Sequence, residues 1–239
     1  GWAGLNSVVE EIESKGRQAL GLFSDVSDGV QVADMVAKTL DQFGKIDILV
    51  NNAGSRPGKD RVPVLELEEE AFDEVQRVNV RGTYLVSRAV ATHMVNRGGG
   101  GKIINISSGA GKRGIARYAA YCASKFAVIG FTQAMAQEMA VNKINVNAIC
   151  PGAHEERSLE LARGRAEYLG EAFDEEAFRL GFRATRENAV IAGRWCADEG
   201  YTQKGAGPDD AATVALFLAS EEASNFTGQD INSGGGVMW

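Results

Sequence analysis

Tyr121 and Lys125 stand four residues apart in a stretch, residues 118–141, whose pattern predicts one long helix. Their side chains therefore share a face, about one turn from each other. A phenol beside an ammonium is a proton-transfer pair, because the positive charge favours the phenolate and draws a tyrosine pKa down from about 10. The apolar run before it, residues 102–106, is short and branched and reads as a buried strand. It ends in Ser107-Ser108, followed by Gly109-Ala110-Gly111. A hydroxyl at that strand end can hold a substrate oxygen while the tyrosine moves a proton. Consecutive strand residues point to opposite sides, so only one of the two serines can face the cleft.

The elements that must position these groups alternate along the chain. Leu5, Val8, Val9 and Ile12 give an amphipathic helix over residues 3–16, closed by Gly16. Residues 19–23 read as a short buried strand, followed by Asp25-Val26. Residues 27–43 give a second helix and residues 46–50 a strand, which runs into Asn51-Asn52-Ala53-Gly54. In an open parallel sheet, ligands sit outside the carboxyl ends of the strands, which is where this loop falls. A helix over about 68–95 carries Asn79 in its middle, an unfavourable place for asparagine, with Gly82 just beyond. Residues 98–101 are four glycines followed by Lys102. They precede a strand rather than open a helix, so they read as a connector and not as a phosphate loop. Residues 144–150 form the next strand, turned by Pro151-Gly152. Pro208 opens a helix, and residues 230–232 form the last strand.

Together, Asn51–Gly54, Asn79, Ser108 thirteen residues before Tyr121, Tyr-x-x-x-Lys and Pro151-Gly152 form an ordered set. That set resembles the short-chain dehydrogenase/reductase family from end to end of the chain. The resemblance implies a Rossmann-like, doubly wound parallel α/β sheet in one domain spanning residues 1–239. It implies an NAD(P)-dependent oxidoreductase interconverting a secondary alcohol and a ketone. Tyr121 would be the acid/base, and Lys125 would lower its pKa and bind the nicotinamide ribose. Ser108 rather than Ser107 would hold the substrate oxygen, and Asn79, in a distorted turn, a relay water. Asp25 and Val26 would meet the adenine, with a helix N-cap as the competing reading of Asp25 and Ser27 as its rival there. Asn52, Ala53, Gly54, Pro151 and Gly152 would line the cofactor groove. Residues 153–207 would be the substrate lid, longer than usual, and residues 234–239 a tail packed against a sister subunit in a dimer or tetramer.

The resemblance departs at two places. Glu156 stands where the family places a threonine for the nicotinamide carboxamide, and nearby His154 reads as a loop residue because Tyr121 already fills the acid/base role. The family also begins with a strand, a Thr-Gly-x-x-x-Gly-x-Gly loop, a helix and a second strand, none of which is in these 239 residues. That loop and its helix N-terminus ordinarily hold the pyrophosphate. The expectation is a piece of a longer gene product whose strand at residues 46–50 has an exposed apolar edge. NAD and NADP both remain open. So do a 3-oxoacyl-thioester reductase, a sugar or polyol dehydrogenase, and a non-catalytic, cofactor-free relative.

Composition adds bounds. With 239 residues and 44% hydrophobic content, one α/β core can be buried. A net charge of -7 argues against a nucleic-acid partner. No apolar run reaches the roughly 18 residues of a membrane span, and a cytoplasmic location is expected. Three cysteines (Cys122, Cys150 and Cys196) and two histidines lack ligand spacing, so no metal is expected.

Overall fold

In the computed structural model, four short apolar runs pair into one parallel sheet: β1 (Ile48–Asn51), β2 (Gly101–Ile106), β3 (Ile144–Cys150) and β4 (Asp230–Asn232), in that spatial order. The structure describes residues 4–152, 159, 162–164, 166, 167, 170, 172–180 and 208–233. Parallel neighbours need a crossover between them. Helices α3 (Glu69–Gln76) and α4 (Thr83–Arg97) cross from β1 to β2, and α5 (Ala119–Met139) crosses from β2 to β3. Helix α6 (Pro208–Ala219) precedes β4, while α1 (Leu5–Ser14) and α2 (Gly29–Phe43) precede β1.

Alternation along β2 divides the core into two layers. Ile103, with Val146 of β3, packs among Val32 of α2, Leu85 and Met94 of α4, and Met135 of α5. Ile104, with Ile149, packs against Leu218 of α6 and Ala223. Helices thus cover both faces of a parallel sheet, as the doubly wound reading requires. Among the described residues β1 is the sheet's edge, and its Ile48 and Val50 are each 46% exposed.

One expected element is not a strand. Residues 17–25 run as irregular chain, with Leu20 39% and Phe23 91% exposed. A strand exists through the neighbour that satisfies its N–H and C=O groups, and no described strand lies beside this segment. It rests instead against α1, where a Cβ on Gly21 would stand 2.9 Å from Leu5 Cγ. The helix expected over 27–43 begins at Gly29, capped by neither Asp25 nor Ser27. Asp28 is its N-cap and accepts from the backbone N–H groups of Val30 (2.8 Å) and Gln31 (3.3 Å).

The helix expected over 68–95 is interrupted. Residues Arg77–Gly82 widen into a π-turn between α3 and α4, the kind of local defect that frequently accompanies a functional site. Arg81 Nε donates to Ser27 O at 3.1 Å, and Arg77 donates to the Asp25 carboxylate at 2.9 Å and to Ser27 Oγ. Gly82 lets Val26 lie directly on the turn, since a Cβ there would come within 2.7 Å of Val26 Cγ2. Gly82→Ala is therefore expected to lower the unfolding free energy by about 1–3 kcal/mol through overpacking. Gly114→Ala is expected to change it little, because a Cβ on Gly114 meets nothing within 4 Å. Urea unfolding of both variants checks the pair.

Candidate active site

Lys125 is buried on α5, yet its ammonium has a fixed place: Nζ donates to Ile106 O at the end of β2, at 2.9 Å. The bond has a counterpart in the opposite sense, because Ser107 Oγ donates to Lys125 O at 2.8 Å. Ser107 is thus spent on holding the helix. Gly111 closes the loop over this junction; a Cβ there would stand 2.6 Å from Ser107 Oγ and 2.8 Å from Lys125 O. Ser108, next along, turns the other way. Its Oγ accepts from Ala110 N at 3.1 Å, and the side chain acts on the Tyr121 phenol, opposing the rise of its pKa. The Ser107 hydroxyl is taken up by Lys125 O, whereas the Ser108 side chain acts on the Tyr121 phenol.

Tyr121 lies one turn before Lys125, whose Nζ is 5.6 Å from the ring centroid. Burial raises the phenol's pKa above its ordinary value. The hydrogen bond from Ser108 opposes that rise first, and the charge of Arg61 next. This differs from the sequence expectation, in which Lys125 supplies the opposing charge. Burial likewise pulls Lys125 down to about 8; Cys150 opposes and Arg61 adds to the lowering. The reason is shared: both groups titrate in a site that water scarcely reaches, where desolvation penalises whichever form is charged.

Asn79, in the π-turn, is buried and bonds through both ends of its amide. Its Nδ2 donates to Ser124 Oγ at 2.9 Å, Ser124 Oγ donates to Tyr121 O at 2.7 Å, and its Oδ1 accepts from Ser55 N at 2.8 Å. One side chain joins α5 to the loop after β1. Asn52, Ala53 and Gly54 lie exposed in that loop. A Cβ on Gly54 would touch Asn79 Oδ1 at 3.4 Å. Pro151 and Gly152 are half-buried, and Pro151 O accepts from Gly109 N at 2.9 Å, which ties the loop after β3 to the serine loop. The Asp25 carboxylate is engaged by Ser27 and Arg77, which hold its pKa low. Thus Asn52–Gly54, Asn79, Ser108, Tyr121, Lys125, Pro151 and Gly152 gather at the carboxyl ends of β1, β2 and β3. Asp25 and Val26 sit beside them across the π-turn. His154, Glu156, most of 153–207 and the tail 234–239 lie outside the described residues.

The residues present fit the nicotinamide-ribose end of a dinucleotide. An ammonium has three N–H groups, and Lys125 uses one of them on Ile106 O. No Thr-Gly-x-x-x-Gly-x-Gly segment for the pyrophosphate is in the sequence. Sequence reasoning missed four residues of this neighbourhood: Arg61, Ser55, Ser124 and Arg77. None carries a spacing signal; a charged loop residue reads by default as solvated, and Arg61 is not.

Comparison with known proteins points one way. The sequence profile described as short chain dehydrogenase matches residues 3–162. A short-chain dehydrogenase/reductase of Armillaria gallica is 34% identical over 244 residues, covering 99% of this chain and 82% of that protein. A 2-dehydro-3-deoxy-D-gluconate 5-dehydrogenase of Dickeya dadantii is 36% identical over 230 residues, covering 96% and 80%. The crystal structure of a tryptophan variant of actinorhodin polyketide ketoreductase with NADPH superposes with a TM-score of 0.79 at 32% identity, covering 99% of this chain and 84% of that one.

Burial of Lys125 has a pH signature. Its pKa is about 8 in the fold and about 10.4 in an unfolded chain. Between those values the unfolded state binds more protons, so stability contributed through this group rises with pH across that window and is flat below it. Lys125→Met is expected to lack this rise. Denaturant unfolding of both proteins at several pH values checks it, since a difference that stays constant from pH 7 to 10 excludes the buried ammonium as the cause.

Proposed function

This chain belongs to the short-chain dehydrogenase family, and on that premise we propose that it is an NAD(P)-dependent oxidoreductase interconverting a secondary alcohol and a ketone, with Tyr121 as the acid/base. The observation that carries the reading is the meeting of Tyr121, Ser108 and Lys125 at one strand end. A bound nicotinamide would supply or accept the hydride. Everything else falls to the chain's own groups. Ser108 holds the substrate oxygen beside the phenol. Tyr121, whose phenol burial holds above its ordinary pKa, gives its proton to that oxygen in reduction and takes it back in oxidation. Lys125 turns its free N–H groups to the ribose hydroxyls. Asn79 fixes the helix behind the tyrosine through Ser124 and stands where a relay water would be held. Asp25 and Val26 would meet the adenine, while Asn52, Ala53, Gly54, Pro151 and Gly152 line the groove.

Among the relatives are a sugar-acid dehydrogenase and a polyketide ketoreductase, and both chemistries convert a secondary alcohol and a ketone. A homo-oligomer, dimer or tetramer, is part of the proposal. Its support is an apolar groove between α4 and α5, lined by Tyr84, Ala91, Val95, Phe131, Met135 and Met139. A cytoplasmic location is consistent with it, and no described helix is long and apolar enough to cross a membrane.

In an active form of the protein, Tyr121→Phe is expected to abolish turnover and leave NAD(P)H binding nearly intact, because the ring stays and only the proton carrier goes. Lys125→Ala is expected to damage both. Steady-state rates with fluorescence titration of NADH and NADPH separate these outcomes, and substantial activity in Tyr121→Phe excludes the mechanism. The 239 residues alone are expected to bind either dinucleotide weakly, since backbone N–H groups of a glycine loop ordinarily meet the pyrophosphate. Adding a strand, glycine loop, helix and strand ahead of α1 is expected to restore tight binding. Micromolar binding by the 239 residues, read by calorimetry, overturns this.

A further inference from the structure

Arg61 sits in the loop after β1 and is 8% exposed. Its guanidinium carbon lies 4.1 Å from the ring centroid of Tyr118 and 4.2 Å from that of Tyr121. A buried guanidinium needs partners for its N–H groups, because leaving them unpaired costs several kcal/mol. Among the described residues the charged partner of Arg61 is its neighbour Asp60. Its Nε stands 3.4 Å from Asp60 Oδ2, too far for a strong hydrogen bond, and Nη1 is buried with no hydrogen-bond partner. Asp60 is 4% exposed, and its other oxygen accepts from Gly58 N at 3.0 Å. The stacking on two rings accounts for the guanidinium's planar faces, but an in-plane N–H at Nη1 is left over.

A second observation is independent of that side chain. Residues 52–63 and 107–118, the loops following β1 and β2, carry six basic residues (Arg56, Lys59, Arg61, Lys112, Arg113 and Arg117) and one acidic one, Asp60. The whole chain has a net charge of -7. Lys112 is paired with Asp230, yet the two loops keep a net positive charge, and a local field of that sign raises the concentration of anions there. Lys125 adds a further buried cation close enough for Arg61 to affect its titration.

We propose that Arg61 is the substrate-anchoring residue of this site and that the anchored group is a carboxylate, so the substrate is a hydroxy acid in one direction and the matching keto acid in the other. The inference rests on the oxidoreductase reading above and deepens it. An arginine fits the task because its planar fork matches a carboxylate with two parallel N–H bonds, whereas a lysine offers a single point charge. Contact with the Tyr121 ring places the anchored end of the substrate next to the group that moves the proton.

The test compares gluconate with sorbitol, which share a six-carbon hydroxylated skeleton and differ in the carboxylate. Calorimetric titration of the chain is expected to show gluconate bound roughly ten-fold or more tightly than sorbitol, the magnitude of one charge-assisted hydrogen bond. Arg61→Gln is expected to bring the ratio near one, and Arg61→Lys to keep part of the preference. If Arg61→Gln does not fold, as read by circular dichroism, the several-fold drop in Arg61→Lys carries the test. A wild-type chain without preference, whether both compounds bind or neither, overturns the assignment. So does a preference that survives in Arg61→Gln, which would mark a non-specific anion effect of the basic loops. Tyr121→Phe keeps the ring beneath Arg61 and is expected to retain the preference while losing turnover. The failure of the acid/base mechanism and the failure of the carboxylate anchor are thereby read separately.

Discussion

The structure turns on a reciprocal pair of hydrogen bonds between the end of β2 and the first turns of α5. Lys125 Nζ donates to Ile106 O while Ser107 Oγ donates back to Lys125 O. Each bond is short and buried, where hydrogen bonds are electrostatically stronger than in water and costly to leave unmade. Because they run in opposite senses between the same two segments, the helix can neither slide nor rotate on the strand without breaking one. That fixes Tyr121, one turn earlier on α5, relative to Ser108, just beyond the end of β2. A loop with any side chain at Gly111 could not lie over the junction, so the glycine belongs to the same constraint.

The π-turn provides the other fixed point. A regular helix through residues 77–82 would satisfy its own backbone and present its side chains at even spacing. The widened turn instead lets Asn79 reach both the loop after β1 and Ser124 on α5. Arg77, Arg81 and Gly82 then hold the Asp25–Ser27 segment against the outside of the turn. A further polar ladder runs through the sheet. Asn51 donates to Ser87 and to its register partner Asn105, and Asn105 donates to Thr132. Buried amides of this kind specify one pairing register, because a slip would leave several of them unsatisfied at once. The carboxyl ends of the strands, where the site is built, are thereby held level with one another.

Electrostatics at the site are set by what excludes water. An acidic chain places its cations at the cleft, two of them, Arg61 and Lys125, out of solvent. Desolvation alone would push the phenol up and the ammonium down, and it does both. Ser108 and Arg61 moderate the first effect, and Arg61 stands as a cation beside the Tyr121 ring.

The sequence by itself brought Tyr121, Lys125 and the two serines together as candidates. Tyr121 and Lys125 are tied by helical period and the two serines by strand alternation, and both are local periodicities of the backbone. The four strands of the sheet and the crossover helices were legible for the same reason, since apolar runs and 3.6-residue patterns are written in adjacent residues. What only the tertiary structure decided depends on partners distant in the chain. Residues 19–23 have the composition of a strand and are not one, because pairing is a property of the neighbour. Asn79 looked misplaced in a helix until the π-turn gave it Ser55 and Ser124. Arg61 looked like any loop charge, and Lys125 like the nearest cation for the phenol. Two rings and a buried loop, brought together by the fold, made Arg61 that cation, because the strength of a charge depends on the water that packing removes from around it.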